Sequence, residues 1–178
     1  MDRLSGRKAV ILTAFHELHK ELRLGGVKQL TINIKGYSVL IDDEDYEKIK
    51  DFSWRRTCYG KPYFAAESNG IKVILHRIIM NAPDGYLVDH RDCNTLNNVK
   101  SNLRICDKSQ NGMNRGKQAN NTSGYKGVSW SKGKNKWRAY ISNKDGLHHL
   151  GYFNCPTMAW LAYCKAAKEY HGEFARLN

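Results

Sequence analysis

One polar stretch, Tyr86 to Arg115 (YLVDHRDCNTLNNVKSNLRICDKSQNGMNR), constrains the fold of this chain more than any other. Leu87 and Val88 are apolar and lead into Asp89-His90 as a short strand would. Asp92 to Ser101 is dense in Asn, Asp and Ser and reads as a loop. Leu103-Arg104-Ile105-Cys106 alternates as a second short strand. Asp107, with Gln110 three residues on, carries the capping-box signal of a helix start. The order is strand, long loop, strand, helix. It sets Asp89 and His90 at the end of one strand, Asn102 at the start of the next, and Asn111 one turn into the helix.

Those residue types suit metal-assisted hydrolysis of a phosphodiester. A hard divalent cation takes oxygen ligands, and the Asp89 carboxylate and Asn111 amide oxygen can supply them. A neutral His90 beside such an ion can take a proton from water, since an imidazole titrates near ~6.5. Asn102, with a donor and an acceptor on one amide, can hold the backbone that orients the imidazole.

The segment resembles the HNH endonucleases, whose core is the ββα-metal fold, and is most similar to the phage and intron-borne variants with Asn at the third position. The resemblance implies that Asp89 and Asn111 bind metal, Mg2+ first and Mn2+ second. It implies that His90 is the general base and that Asn102 orients it. Asn111 stands where most of the family has His.

Charge is placed unevenly around this stretch. Residues 1–99 hold 15 Lys and Arg against 13 Asp and Glu, while residues 100–178 hold 14 against 4, a balance of +10. A basic field so concentrated attracts a polyanion, and binding by counterion release is salt-dependent. Five cysteines with no CxxC pair point to thiols in a reducing compartment, the cytoplasm of a bacterial host if phage-borne, over disulfides or structural zinc. No apolar run approaches the ~20 residues of a membrane span. The opening apolar run is too short for a signal peptide.

Residues 1–26 are expected to form an N-terminal helix of unassigned role, with Ile11, Phe15, Leu18 and Leu22 on one face and Gly25-Gly26 as the stop. Residues 27–83 read as a β-rich lead-in. Leu30 to Ile34 and Tyr37 to Ile41 make a hairpin across Lys35-Gly36, and a short acidic helix follows from Asp42 to Lys50. Three further strands, Trp54–Thr57, Tyr63–Glu67 and Lys72–Leu75, precede LHRIIM. Two readings of His76 stand: a second histidine reaching the scissile phosphate, or a cap on the helix from His76 to Met80. Residues 84–115 are the expected nuclease core, and 116–124 (GKQANNTSG) a flexible linker following the DNA backbone.

Residues 125–178 read as a second module. Tyr125–Trp130, Lys136–Ser142 and His148–Phe153 are three strands, with Trp137, Ala139 and Ile141 on one face and Arg138, Tyr140 and Ser142 on the other. The helix Thr157–Tyr170 covers the apolar face with Ala159, Ala162, Tyr163, Ala166 and Ala167. SGYKGVSW, KWRAYI, HLGYF and the closing HGEFARLN resemble the plant ethylene-response-factor (AP2/ERF) DNA-binding domain. The resemblance implies that Lys126, Trp130, Arg138, Tyr140 and His149 contact DNA, with core packing the equal alternative for Trp130. The expectation is an α+β chain: a monomeric, metal-dependent endonuclease of homing or free-standing phage type. It acts on double-stranded DNA, nicking one strand at a time, with no membrane and no obligatory protein partner. The alternatives are a DNA-binding regulatory protein without activity and a basic RNA-associated protein.

Overall fold

The computed structural model describes residues 22–24, 27–57 and 60–177, and it is mixed α and β. Its described residues fall into two compact units, one from Met1–Pro83 with Asp92–Arg104 and the other from Asp84–Arg91 with Ile105–Asn178. The division differs from the expected domain boundaries. The loop of the expected nuclease core belongs to the first unit, and the flanking strand and helix belong to the second. Among the described residues no helix is long and apolar enough to cross a membrane. None of the four described cysteines forms a disulfide.

In the first unit, β1 (Leu22–Leu24), β2 (Val27–Ile34) and β3 (Tyr37–Asp42) form an antiparallel sheet in sequence order. The β2–β3 hairpin turns on Lys35 and Gly36, both at positive φ (52° and 86°), the pairing that matches the twist of the flanking strands. Leu30 faces Ile41 and Ile32 faces Val39, and the alternation buries Leu30, Ile34, Val39 and Ile41. The expected N-terminal helix lies mostly outside the described residues. Where it is described, Leu22–Leu24 is a strand, because pairing with Val27–Gln29 gives its backbone a ladder partner that helical periodicity alone does not supply. After a 3-10 turn at Asp43–Asp45 come α1 (Tyr46–Ile49) and a second sheet of β4 (Arg55–Arg56), β5 (Phe64–Ser68) and β6 (Ile71–Ile74). Helix α2 (Leu75–Met80) follows β6 directly and buries Leu75, His76 and Ile79.

The polar loop that follows the first site strand is stitched to β3. Leu40 N–H donates to Leu96 O at 2.8 Å, and Asn98 N–H donates to Leu40 O at 2.7 Å. Lys100 N–H donates to the buried Asp42 carboxylate at 2.8 Å. Lys100 Nζ lies 3.0 Å from the fully buried Asp45 and also bonds Glu44, which holds the ammonium above its ordinary pKa.

In the second unit, β7 (Leu87–His90) pairs with β8 (Leu103–Cys106), the strand through which the unit boundary passes, and α3 (Lys108–Met113) follows. The capping box is formed: Gln110 N–H donates to Asp107 Oδ1 at 2.8 Å, and the Gln110 side chain accepts from Asp107 N–H at 2.9 Å. Further on, β9 (Val128–Ser131), β10 (Lys136–Asn143) and β11 (Gly146–Phe153) make an antiparallel sheet with β10 central, covered by α4 (Pro156–His171). Val128 and Ala139 pack on Ala159, and Ile141 packs on Tyr163, Ala166 and Ala167. The alanines let the helix come close to the sheet, and Gly127 lets it come closer still. Gly127 sits at φ 72°, where a Cβ would stand 2.2 Å from the Tyr163 ring and 2.7 Å from Tyr140 O.

The stretch expected to be a flexible linker is ordered at its far end. Asn121 Nδ2 donates to Tyr125 O at 2.9 Å, Gly124 N–H donates to Asn121 Oδ1 at 2.8 Å, and Ser123 Oγ bonds Val128 O at 2.9 Å. Short polar side chains that fold back on the backbone make turns as readily as they make loose chain.

Gly127→Ala should therefore destabilise the second unit by about 2–4 kcal/mol, the sum of overpacking and left-handed strain. Gly36→Ala, at φ 86° with nothing within 4 Å, should cost only the strain. Denaturant midpoints of the two variants check this, and equal losses would show that the Tyr163 contact yields.

Candidate active site

Strand β7 ends on two buried side chains, Asp89 (8 % exposed) and His90 (3 %), so neither is an ordinary surface polar residue. A buried carboxylate needs donors, and one comes from the end of α3. Asn114, the C-cap of that helix, is itself buried. Its Nδ2 lies 3.0 Å from Asp89 Oδ1, 2.9 Å from Asp89 Oδ2 and 2.9 Å from His90 O. One amide thus fixes the carboxylate and the backbone of the neighbouring histidine. Asn111 lies a turn earlier on α3, half-buried, with its backbone N–H donated to Asp107 O at 3.0 Å. Asn114 is the residue that sequence reasoning missed. Its signal was the i, i+3 spacing from Asn111, which puts both amides on one side of a short helix.

The C-cap is held in turn by the rest of the second unit. Lys126 Nζ donates to Met113 O at 2.6 Å, and Arg176 Nη1 lies 3.5 Å from Asn114 O. Two cations at the last carbonyls of a helix complement both its orphan acceptors and its dipole. Arg91, the residue after His90, pairs with Glu173 at 2.8 Å.

Asn102 and His76 belong to the first unit. Asn102 Oδ1 accepts from Asp92 N–H at 3.1 Å, and its Nδ2 donates to Asp92 Oδ1 (2.9 Å) and Asn97 O (2.8 Å). It closes the turn that begins two residues after His90. His76 is not a helix cap. Ile74 occupies that position, and the His76 ring is buried edge-on against Tyr63, 5.5 Å between centroids. Helix α2 starts directly from β6, so its N-cap position falls on Ile74, an apolar side chain that cannot cap.

The residues expected to contact DNA divide. Arg138 pairs across the ladder with Tyr152 and Ser129, and Tyr140 with His149. The Arg138 guanidinium stands 5.2 Å over the Tyr140 ring, and the exposed His149 packs on Tyr152 at 4.6 Å. Trp130 does not join them. It lies opposite Trp137, ring centroids 5.1 Å apart, on the side of the sheet that α4 covers, with its outer edge exposed. Period-2 alternation decides this, since Trp137 and Arg138 point to opposite faces. Lys126 is also withdrawn from the open face. It is half-buried, bonded to Met113 O and 5.9 Å from the Tyr163 ring centroid.

Among the described residues no group of three or more His, Cys, Asp or Glu side chains forms a cage for a metal ion. At the end of β7 stands the Asp89 carboxylate, with the Asn114 amide against it. That set fits a hard ion of the Mg2+ kind, which keeps several waters and takes one or two carboxylates plus substrate phosphate.

Comparison with known proteins bears on this geometry. The HNH endonuclease family matches residues 74–113, a span that contains His76, Asp89, His90, Asn102 and Asn111. Protein 3.8 of Escherichia phage T7 is 37% identical over 97 residues, covering 54% of this chain and 78% of that protein. An uncharacterized HNH endonuclease of Acanthamoeba polyphaga mimivirus is 27% identical over 150 residues, covering 81% of this chain and 76% of that protein. No solved structure matches.

Asn114→Ala should cost about 1.5–3 kcal/mol, the range for a hydrogen bond to a buried charged group. The measurement is the denaturant midpoint at unchanged slope. A loss below about 0.5 kcal/mol, the size of an ordinary surface substitution, would show that the Asp89 carboxylate is held by other groups.

Proposed function

This chain belongs to the HNH endonuclease family, and from that premise we propose that it is a metal-dependent DNA endonuclease that nicks one strand per monomer. The observation that carries the reading is the buried Asp89–His90 pair at the end of β7, gripped by an amide from the helix that also bears Asn111. His90 is the general base. It takes a proton from the attacking water, and its backbone is fixed through its carbonyl by Asn114. Asn102 steadies the backbone after His90 through Asp92 N–H. Asp89 and Asn111 would hold the divalent cation, Mg2+ or Mn2+. Such a cation would supply Lewis acidity toward the scissile phosphate.

Double-stranded DNA is the substrate, and the open face of the β9–β11 sheet is the surface offered to it. The resemblance to AP2/ERF domains supports this, as does the row of Arg138, Tyr140, His149 and Tyr152 on one face. A cation stacked on aromatic rings can meet phosphates and base edges in a groove. A single DH…N…N set reaches one scissile phosphate at a time, which supports nicking by a monomer acting in the cytoplasm of its host.

A time course on supercoiled plasmid tests the reading. Open circles should accumulate in Mg2+ before any linear product, and nothing should happen in chelator. Linear product without open circles, at second order in enzyme, would replace the monomer with a concerted dimer. His90→Ala should lose about 10²–10⁴ in rate with DNA affinity kept. Cleavage within a few fold of wild type would remove His90 from the mechanism.

In a metal titration followed by calorimetry, Asp89→Ala should weaken binding more than Asn111→Ala. A carboxylate brings charge to a hard cation and an amide only a dipole. The reverse order would exchange the two assignments.

A further inference from the structure

Beyond the end of β9, the central strand β10 runs on with no strand paired to it on that side among the described residues. Val128 pairs with Ala139, and the last link is Tyr140 N–H to Gly127 O at 2.9 Å. A cavity of about 630 Å³ opens there, between the edge of β10, helix α3 and the strap of residues 115–122. The charged side chains lining it are Lys108, Arg115, Lys117 and Lys126, with no aspartate or glutamate among its lining residues. Its floor is made by α4. Tyr163 (2 % exposed) and His171 (7 %) both line it, and both bring a buried polar atom with no hydrogen-bond partner among the described residues, Tyr163 Oη and His171 Nδ1.

Among the described residues of this unit these are the two buried side-chain polar atoms left without such a partner. His171 Nε2 is matched: it lies 2.8 Å from Ser142 O, a carbonyl that can only accept, so Nε2 carries the proton and Nδ1 is an acceptor. Burial pushes the His171 pKa down, with Lys126 adding to the effect, so the neutral ring is favoured. Burial raises the Tyr163 pKa, so its hydroxyl stays protonated and can donate. A buried polar atom left unmatched is costly, and in a cavity a water or a ligand atom completes its bonding.

We propose that this cavity is a second nucleic-acid site, separate from the open sheet face, which takes a phosphodiester of the bound DNA strand. The phosphate oxygens accept from Tyr163 O–H and lie within the field of the four cations, and a water on the phosphate donates to His171 Nδ1. The inference rests on the reading of the chain as a DNA-acting protein. It gives the strap of residues 115–122 a role. The strap follows α3, and a strand seated beside it is presented to the helix that bears Asn111 and Asn114.

Full-length protein and a short labelled DNA duplex test it, with affinity measured from about 50 to 200 mM salt. Lys108→Gln with Arg115→Gln changes two exposed rim cations, and it should lower the slope of log affinity against log salt by about 2. Tyr163→Phe keeps the ring that packs under Gly127 and removes only the orphan hydroxyl. It should weaken DNA binding by about tenfold, the value of one hydrogen bond to a charged group, while thermal stability is unchanged or raised. A phenylalanine variant that binds DNA as wild type overturns the proposal. It does so even if the salt slope changes, because the rim would then be an ordinary basic face over an unused floor. Plasmid cleavage by the wild type is scored alongside. Wild-type protein that binds but never cuts, with both variants weakened, removes the nuclease reading and leaves the cavity. Wild-type protein that cuts, with both variants binding normally, removes the cavity alone.

Discussion

The amide of Asn114 is the contact on which the proposed chemistry depends. A carboxylate at the end of β7 is buried, and it stays tolerable there only while donors face it. Asn114 Nδ2 spans both carboxylate oxygens and the His90 carbonyl, so one side chain sets the position of two neighbours. Its own place is set by ending α3, and the end of α3 is held by Lys126 and Arg176 from the sheet-and-helix part of the unit. Loss of that support would be felt at Asp89 without any change to Asp89 itself.

A consequence follows for the organisation of the chain. The sequence divides readily into a lead-in, a core, a linker and a final module, each with its own pattern. The structure ties them differently. The loop containing Asn98 and Lys100 is sewn to β3 and Asp42 by backbone hydrogen bonds, so the lead-in hairpin fixes the turn that Asn102 closes. The final module reaches back through Lys126, Glu173 and Arg176 to α3 and Arg91.

Local signals were legible where the physics is local. The capping box at Asp107 and Gln110, the positive-φ turn at Lys35-Gly36 and the alternation through Trp137, Ala139 and Ile141 all form as the residues dictate. Each depends on groups within a few residues of one another. The alanine-spaced face of α4 buries Ala159, Tyr163, Ala166 and Ala167 for the same reason, since 3.6-residue periodicity places them together.

What the sequence by itself determined about this protein is thus the kind and order of most of its elements from β2 onward. Tertiary structure alone decided the partners. Nothing near Asn114 in the chain says that it will meet Asp89, 25 residues away. Nor could composition tell that Lys126 would cap a helix rather than meet solvent, or that Trp130 would sit with Trp137 on the covered face. Such choices depend on which donors and acceptors become buried together. Burial is a property of the assembled layers, settled when long-range contacts close and unsatisfied polar groups must find one another.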